Sequence, residues 1–237
     1  MKYIAIVLLC IAFVSPSLAD SWVNTDYNTT EGNEFYVTTM KHAGANAGSG
    51  DALKVYLYAT ARQATNICVT NNYSYREIIS IPEGGQGGLN IPLEYIYADC
   101  TDENIDVSNS VKNIYEITNP QDKSLYIYTC DAVGNFITDK KISLYITSFH
   151  KNFGYEATNI LPIRALENAY MIQTYHTDND GTEFAVVATK TNQSFSLNTV
   201  VTERDDNFDV SGMDTSFLRT VVMDKGQVFV VKSAIGD

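Results

Sequence analysis

Short runs of residues that favour β-strands recur along the whole chain, with turn-forming residues between them. Many short runs at roughly 8–12-residue spacing are typical of β-sandwiches and barrels, and the first run alternates, with Phe35, Val37 and Thr39 on one face. The runs cover residues 34–40, 54–60, 67–69, 77–81, 91–97, 124–128, 142–147, 184–188, 195–197, 218–222 and 228–231. The one helical candidate, around Ile163 to Asn168, is two turns at most. We predict an all-β fold with one or two antiparallel β-sandwich-like units in tandem and very little helix.

Two of the predicted strands begin with the same pattern. Residues 32–37 and 181–186 both read G-x-E-F-x-V. In each, a glycine turn starts a strand whose phenylalanine and valine lie on one face, because strand side chains alternate. The repeat favours two related β-sandwich-like halves, the first over residues 22–110 and the second over residues 111–237.

The amino-acid composition excludes two classes of protein. Apolar residues make up 45% of the chain, and sixteen tyrosines and ten phenylalanines are spread through it, whereas disordered chains are poor in such residues. The net charge is −12, and lysine and arginine form no cluster. Because such a surface repels phosphates, we expect no nucleic-acid partner.

Residues 1–19 have the plan of a cleavable secretory signal. Lys2 is the only charge before an apolar run from Ile4 to Val14, and Pro16 ends the run. Ser17-Leu18-Ala19 places small residues where a signal peptidase reads, which predicts cleavage after Ala19 and a mature net charge of −13, since Lys2 is lost. The run is too short to cross a bilayer, which takes roughly 20 apolar residues. We expect a secreted, extracellular protein without membrane insertion.

Three cysteines, Cys68, Cys100 and Cys130, remain after removal of the signal. Secretion favours disulfides, and an odd count leaves one thiol over. A Cys100–Cys130 bridge would close a loop of about 30 residues and stabilise the fold by roughly 3.5 kcal/mol in the chain-entropy treatment. We take this pair as the expectation, although Cys68 with either partner is nearly as plausible. No cysteine or histidine spacing indicates zinc, so no metal or other cofactor is expected.

The residues that could support catalysis form no recognised motif. His42, His150 and His176 stand outside G-x-S-x-G and HExxH contexts. The glycine-rich stretches 44–50 and 84–88 lack the G-K-S/T motif that binds phosphate, and we interpret both as hairpin loops. We therefore expect no catalytic residues and no enzyme.

Two acidic segments leave one catalytic alternative open. Asp178-Asn179-Asp180-Gly181 resembles the start of a calcium loop, but no bidentate glutamate follows at position twelve. The same residues form a strong hairpin-turn signal. Residues 203–209 are interpreted as a solvated loop. The alternative is a calcium-dependent carbohydrate-active enzyme with paired carboxylates from these segments.

The stretch from Ala157 to Lys190 carries an L-P-x-x-x-L segment, two later tyrosines and a T-E-F-x-V-V-A strand. The residues concerned are Leu161, Pro162, Ala165, Leu166, Tyr170, Tyr175, Thr182, Glu183, Phe184, Val186, Val187 and Ala188. With the early G-x-E-F strand and Gly226-Gln227-Val228, this pattern resembles the IgGFc-binding protein N-terminal domain family, found in secreted mucin-associated and adhesion-type proteins. The resemblance covers most of residues 32–233 and joins both halves in one region.

This resemblance implies an extracellular β-rich module without catalytic activity. Its motif residues, Leu161, Pro162, Leu166, Tyr170, Glu183 and Phe184, are implied to serve packing and turns, and they identify no ligand contact. Glu167 stands where the family has glycine, so the turn there differs. The chain stops at Asp237, where family members run on, which suggests a short member or a fragment.

Three functional hypotheses follow. The first is a secreted, non-catalytic binding or adhesion module whose partner is an extracellular protein or glycan. The second is a structural component of mucus or a coat. The third is the calcium-dependent carbohydrate-active enzyme.

Overall fold

The computed structural model describes residues 30–40, 54–71, 74–100, 103–108, 110, 115–150, 154–166, 170, 183–200 and 216–233. Strands dominate these residues, and the prediction of an all-β fold with very little helix is confirmed. The strands are β1 (Glu31–Gly32), β2 (Glu34–Val37), β3 (Thr39–Met40), β4 (Lys54–Ala61), β5 (Thr65–Thr70), β6 (Arg76–Ile81), β7 (Gln86–Ile91), β8 (Tyr97–Ala98), β9 (Tyr115–Ile117), β10 (Leu125–Cys130), β11 (Ile142–His150), β12 (Gly154–Ile160), β13 (Glu183–Val187), β14 (Gln193–Val200), β15 (Ser216–Met223) and β16 (Val228–Ser233). The helical residues are α1 (Leu93–Ile96) and a 3₁₀ turn over Ile163–Ala165.

Two antiparallel sheets pack face to face and form the larger unit. In the front sheet β11 pairs with β4, which pairs with β7, while β1 and β12 share the other edge of β11. The back sheet has the order β2-β10-β5-β6. Alternation sends one face of every strand inward, as in β4, whose Val55, Leu57 and Ala59 are fully buried. Their partners from the back sheet include Phe35, Ile67 and Ile127 in one continuous core.

The smaller unit contains β9 and the last four strands of the described chain. Its sheet has the order β13-β16-β9, and one face of this sheet packs against the β14–β15 hairpin. Phe229, Val231 and Ile117 lie in that core. The opposite face meets the short parallel pair β3–β8, where Val228 and Val230 pack with Ala98.

The predicted boundary between residues 110 and 111 does not follow the strand pairing. Strands β10, β11 and β12 lie after it, yet they pair within the larger unit. Strand β9 also lies after it and joins the smaller unit, although the next strand along the chain, β10, belongs to the larger one. The two units are therefore interleaved in sequence and not arranged in simple tandem.

Two local predictions are also corrected. The run 91–97 forms the end of β7, the single turn α1 and the start of β8, because Pro92 cannot donate a ladder hydrogen bond and starts the turn instead. The stretch 84–88 is only partly a loop, since Gly87 and Gly88 lie inside β7. The stretch 44–50 lies outside the described residues.

Among the described residues, no helix is long and apolar enough to cross a membrane. The predicted signal, residues 1–19, lies outside them.

Candidate functional site

The outer face of the front sheet presents side chains in rows that run across the strands. The first row is Gln86, Thr60, Ser143 and Glu31, in register across β7, β4, β11 and β1. The second row is Gly88, Tyr58, Tyr145 and Asn159, and the third is Asn90, Tyr56, Thr147 and Ala157, both ending on β12. Directly paired residues of antiparallel strands share a face. These twelve positions therefore form one continuous surface.

Three tyrosines dominate this surface, and we call Tyr56, Tyr58 and Tyr145 the tyrosine face. The ring centroids of Tyr56 and Tyr58 are 6.2 Å apart, and those of Tyr58 and Tyr145 are 6.4 Å apart. All three side chains are half-buried. Each ring therefore keeps part of its surface in contact with solvent.

Gly88 provides room for the ring at the centre of the tyrosine face. A Cβ added to Gly88 would lie 3.1 Å from Tyr58 Cδ1 and 3.3 Å from Tyr58 Cε1. The edge of the ring thus leans over the neighbouring strand, where a larger residue would compete for the same space.

A polar cleft of about 500 Å³ continues the surface beyond the first row. Its lining consists of Glu31, Thr60, Ala61, Arg62, Gly84, Gly85 and Gln86. Arg62 Nε donates to Glu31 Oε1 at 2.9 Å, and the Arg62 side chain is 84% exposed. The cleft therefore offers hydrogen-bond donors and acceptors next to the tyrosine rings.

The L-P segment holds the strand that carries Glu31. Pro162 is buried against Gly32, where an added Cβ would lie 2.2 Å from Pro162 Cβ. Arg164 Nη2 donates to the Glu31 backbone oxygen at 2.5 Å. The early G-x-E-F pattern and the L-P pattern, more than a hundred residues apart in sequence, thus meet at one wall of the polar cleft.

The other motif residues of the predicted family pattern are dispersed. Leu161 and Leu166 are each 39% exposed, and Tyr170 is 48% exposed. Phe184 packs in the core of the smaller unit, and Glu183 lies opposite Lys232 on β16. The structure therefore does not gather these residues into one site.

A second group of tyrosines lies on the outer face of the back sheet. Tyr126 has its ring centroid 5.1 Å from that of Tyr36 and 5.1 Å from that of Tyr128. The Tyr126 hydroxyl donates to Glu34 Oε2, and Lys225 Nζ of the smaller unit lies 5.0 Å from the Tyr126 ring centroid. Because Tyr126 already contacts charged groups of its own chain, this second group of tyrosines is the weaker candidate for a ligand-binding site.

Burial raises the pKa of several tyrosines above the ordinary value near 10. It raises the pKa of Tyr36, Tyr75 and Tyr97 to about 12, with nearby carboxylates adding to the effect. The pKa of Tyr126 is also raised, first by burial and then by its hydrogen bond to Glu34. These phenols stay neutral in the folded protein at a pH where the unfolded chain begins to ionise.

We expect thermal stability to fall as the pH rises from about 10 to about 12. In this range the unfolded state loses phenolic protons before the folded state does, so deprotonation favours unfolding. Below about pH 10 these groups are protonated in both states and contribute no slope. Thermal unfolding followed by circular dichroism at a series of pH values, with tyrosinate absorbance recorded in parallel, measures both effects. An unchanged melting temperature across this range would contradict the assignment of buried phenols.

The expected Cys100–Cys130 bridge is not formed, and the three described cysteines are free. Cys130 is buried on β10, beside Cys68 on the adjacent strand β5. Cys100 instead packs at the junction with the smaller unit, where burial and the nearby Glu183 and Glu116 raise its pKa to about 12. Cys130 thus lies on the back sheet and Cys100 at the junction with the smaller unit, a separation that their spacing in the sequence does not reveal.

The other residues considered for chemistry lie mostly outside the described parts of the chain. These are His42, His176 and the acidic segments 178–181 and 203–209. His150 is the last residue of β11. Within the described residues, no group of three or more histidine, cysteine, aspartate or glutamate side chains is placed to hold a metal ion.

The tyrosine face was missed in the sequence, although a signal for it exists. In Val55-Tyr56-Leu57-Tyr58-Ala59, tyrosines occupy the alternate positions that a half-buried sheet normally gives to polar residues. Tyr145 occupies such a position between Leu144 and Ile146. The alternation indicates tyrosines on an outer face, but not that β4 and β11 are neighbours.

Comparisons of this chain with protein-family models, with curated proteins and with solved structures find no match.

Proposed function

We propose that this protein is a secreted, non-catalytic binding module that acts outside the cell and uses the outer face of the front sheet to hold its ligand. The observation that carries the proposal is the continuity of the tyrosine face with the polar cleft. Binding sites combine apolar, often aromatic, surface with a few convergent polar groups, and this surface has both. The predicted signal at residues 1–19 and the resemblance to secreted adhesion-type proteins support the extracellular setting.

Rigidity of the front sheet supports the same assignment. Tyr58 and Tyr145 project from β4 and β11, which pair over eight residue positions from Lys54 to Ala61. The inward side chains of both strands belong to the continuous core. Side chains on such a scaffold lose little conformational freedom when a ligand binds, which favours affinity.

The test has a secretion arm and a binding arm. The full chain is expressed in a secretory host, and the product in the medium is expected to begin at Asp20. Retention of the unprocessed chain inside the cells would contradict the extracellular assignment.

The purified secreted protein is then applied to an array of glycans and to an array of extracellular proteins. We expect a signal on one of them that is lost in Tyr145→Arg and retained in Tyr36→Arg, the matched change on the back sheet. Absence of signal above background on both arrays would overturn the proposal. A signal that only Tyr36→Arg removes would move the site to the back sheet.

A further inference from the structure

Resting on the proposed function, we propose that the ligand of the tyrosine face is a neutral oligosaccharide. It lies along β4 and β11, and one end of it enters the polar cleft. Four features of the surface favour such a ligand: its aromatic rings, its charge, its hydrogen-bonding groups and its scarcity of aliphatic side chains.

The tyrosine face offers ring surface in a form that suits sugars. The half-buried ring of Tyr58 lies next to Gly88, and Tyr145 follows on the next strand at a centroid distance of 6.4 Å. The C–H bonds on one side of a pyranose ring form an apolar patch that packs against a flat aromatic ring. Tyr56 extends the aromatic surface along β4, so an elongated ligand meets rings at successive positions.

The charge of the surface favours a neutral ligand. The second and third rows consist of glycine, tyrosine, asparagine, threonine and alanine and contain no ionisable group that is charged at neutral pH. Glu31 and Arg62 at the cleft are joined as an ion pair. With a net charge of −12 on the whole chain, a sulfated or carboxylated sugar would meet repulsion, and the three rows contain no lysine or arginine that could attract it.

Hydrogen-bonding groups flank the rings on both sides. Asn90 and Gln86 are exposed on β7, and Asn159 is exposed on β12 beyond Tyr145. A carboxamide both donates and accepts hydrogen bonds, as a sugar hydroxyl does. The two groups can therefore pair with both their donors and their acceptors satisfied. In the cleft, Thr60 adds a hydroxyl near the Arg62–Glu31 pair, and the volume of about 500 Å³ accommodates a terminal sugar.

The same surface offers a protein partner few aliphatic side chains. Its three rows contain no leucine, isoleucine, valine or methionine, and Ala157 is their only aliphatic residue. Exposed aliphatic and phenylalanine side chains instead occur around the loop that follows β10. There Ile78, Val133, Phe136 and Ile137 are between 39% and 71% exposed. The loop after β10 is therefore the more aliphatic of the two surfaces.

The test measures binding of defined oligosaccharides to the purified protein by isothermal titration calorimetry. The neutral probes are β-1,4-glucan, mannan, galactan and chitin hexasaccharides, and the anionic probes are polyuronate and sulfated chains of the same length. We expect binding of at least one neutral probe and none of the anionic ones. Tyr58→Ala and Tyr145→Ala should each weaken binding about tenfold or more, because each removes a stacking ring. Tyr58→Phe should preserve the stacking.

Asn159→Arg tests the same surface without disturbing the core, because this exposed position only adds bulk and charge beside Tyr145. It should weaken binding, whereas Tyr36→Ala on the back sheet should leave affinity unchanged. Melting temperatures of all variants identify any loss that comes from unfolding.

Each other outcome overturns the inference. The neutral-sugar assignment would be wrong if only anionic probes bound. It would also be wrong if neutral probes bound with an affinity that neither Tyr58→Ala nor Asn159→Arg changed. A defined protein bound through the tyrosine face, with no sugar bound, would also remove it while leaving the binding module in place. If no sugar and no protein binds, both this inference and the proposed function fail.

Discussion

Replacing Phe35 with alanine is expected to lower the free energy of unfolding by about 3–5 kcal/mol. Phe35 is fully buried, and its ring lies between the two sheets of the larger unit. Removing the ring leaves a cavity that the rigid strands on either side cannot close. Urea unfolding followed by far-ultraviolet circular dichroism gives the change in free energy directly.

Phe184→Ala is the matched comparison, since Phe184 occupies the same position in the repeated G-x-E-F-x-V pattern. It is only partly buried in the smaller core, so its replacement should be less than half as destabilising. Phe136→Ala, at a site that is 71% exposed, should change stability by no more than about 0.5 kcal/mol. If Phe35→Ala and Phe184→Ala lowered the free energy of unfolding equally, the result would contradict the expectation drawn from the difference in burial between the two side chains.

Gly32→Ala is expected to destabilise the protein by about 1–3 kcal/mol, as overpacking does. The new methyl group would lie 2.2 Å from Pro162 Cβ, far inside contact distance, and 3.5 Å from Phe35 Cζ. Pro162 is buried and its ring is rigid, so its side chain cannot turn away from the new methyl group. The whole 161–166 segment must therefore move. The Arg164 hydrogen bond to the Glu31 backbone would be strained with it, which loosens one wall of the polar cleft.

A double-mutant cycle with Pro162→Gly separates this contact from a general intolerance of alanine at position 32. Pro162→Gly removes the atoms that the new methyl group would meet. In that background Gly32→Ala should add little further destabilisation. If the two changes are simply additive, the close approach of Gly32 and Pro162 is not the reason for the glycine.

Much of the fold could be predicted from the sequence because alternation is a local property. Phe35 with Val37, and Phe184 with Val186, each lie on one face of a strand and pack inward, as predicted. The 3₁₀ turn at Ile163–Ala165 is also within the predicted length. These features depend only on neighbouring residues.

The pairing of strands depends on distant residues, and there the prediction was wrong or incomplete. Nothing near Tyr115 indicates that β9 pairs with β16, whose residues lie more than a hundred positions later. The separation of Cys100 from Cys130 also depends on pairings between distant strands, since Cys130 lies on β10 beside β5 and Cys100 follows β8, which pairs with β3. The tyrosine face likewise requires that β4, β7 and β11 align in one register, which local patterns do not encode.

The interleaving of the two units also determines the order in which the protein can become complete during synthesis. Strand β9 leaves the ribosome long before β16, the strand that separates it from β13 in the same sheet. Until β16 emerges, the sheet of the smaller unit lacks its central strand. The apolar Ile117 on β9 then cannot pack against Phe229 and Val231 in the smaller core. A premature stop just before Val228 would therefore remove the strand that holds both β9 and β13, and also the face that covers β8. Chains shortened at this end should consequently be recognised by quality control as unfinished, even though both sheets of the larger unit are already present.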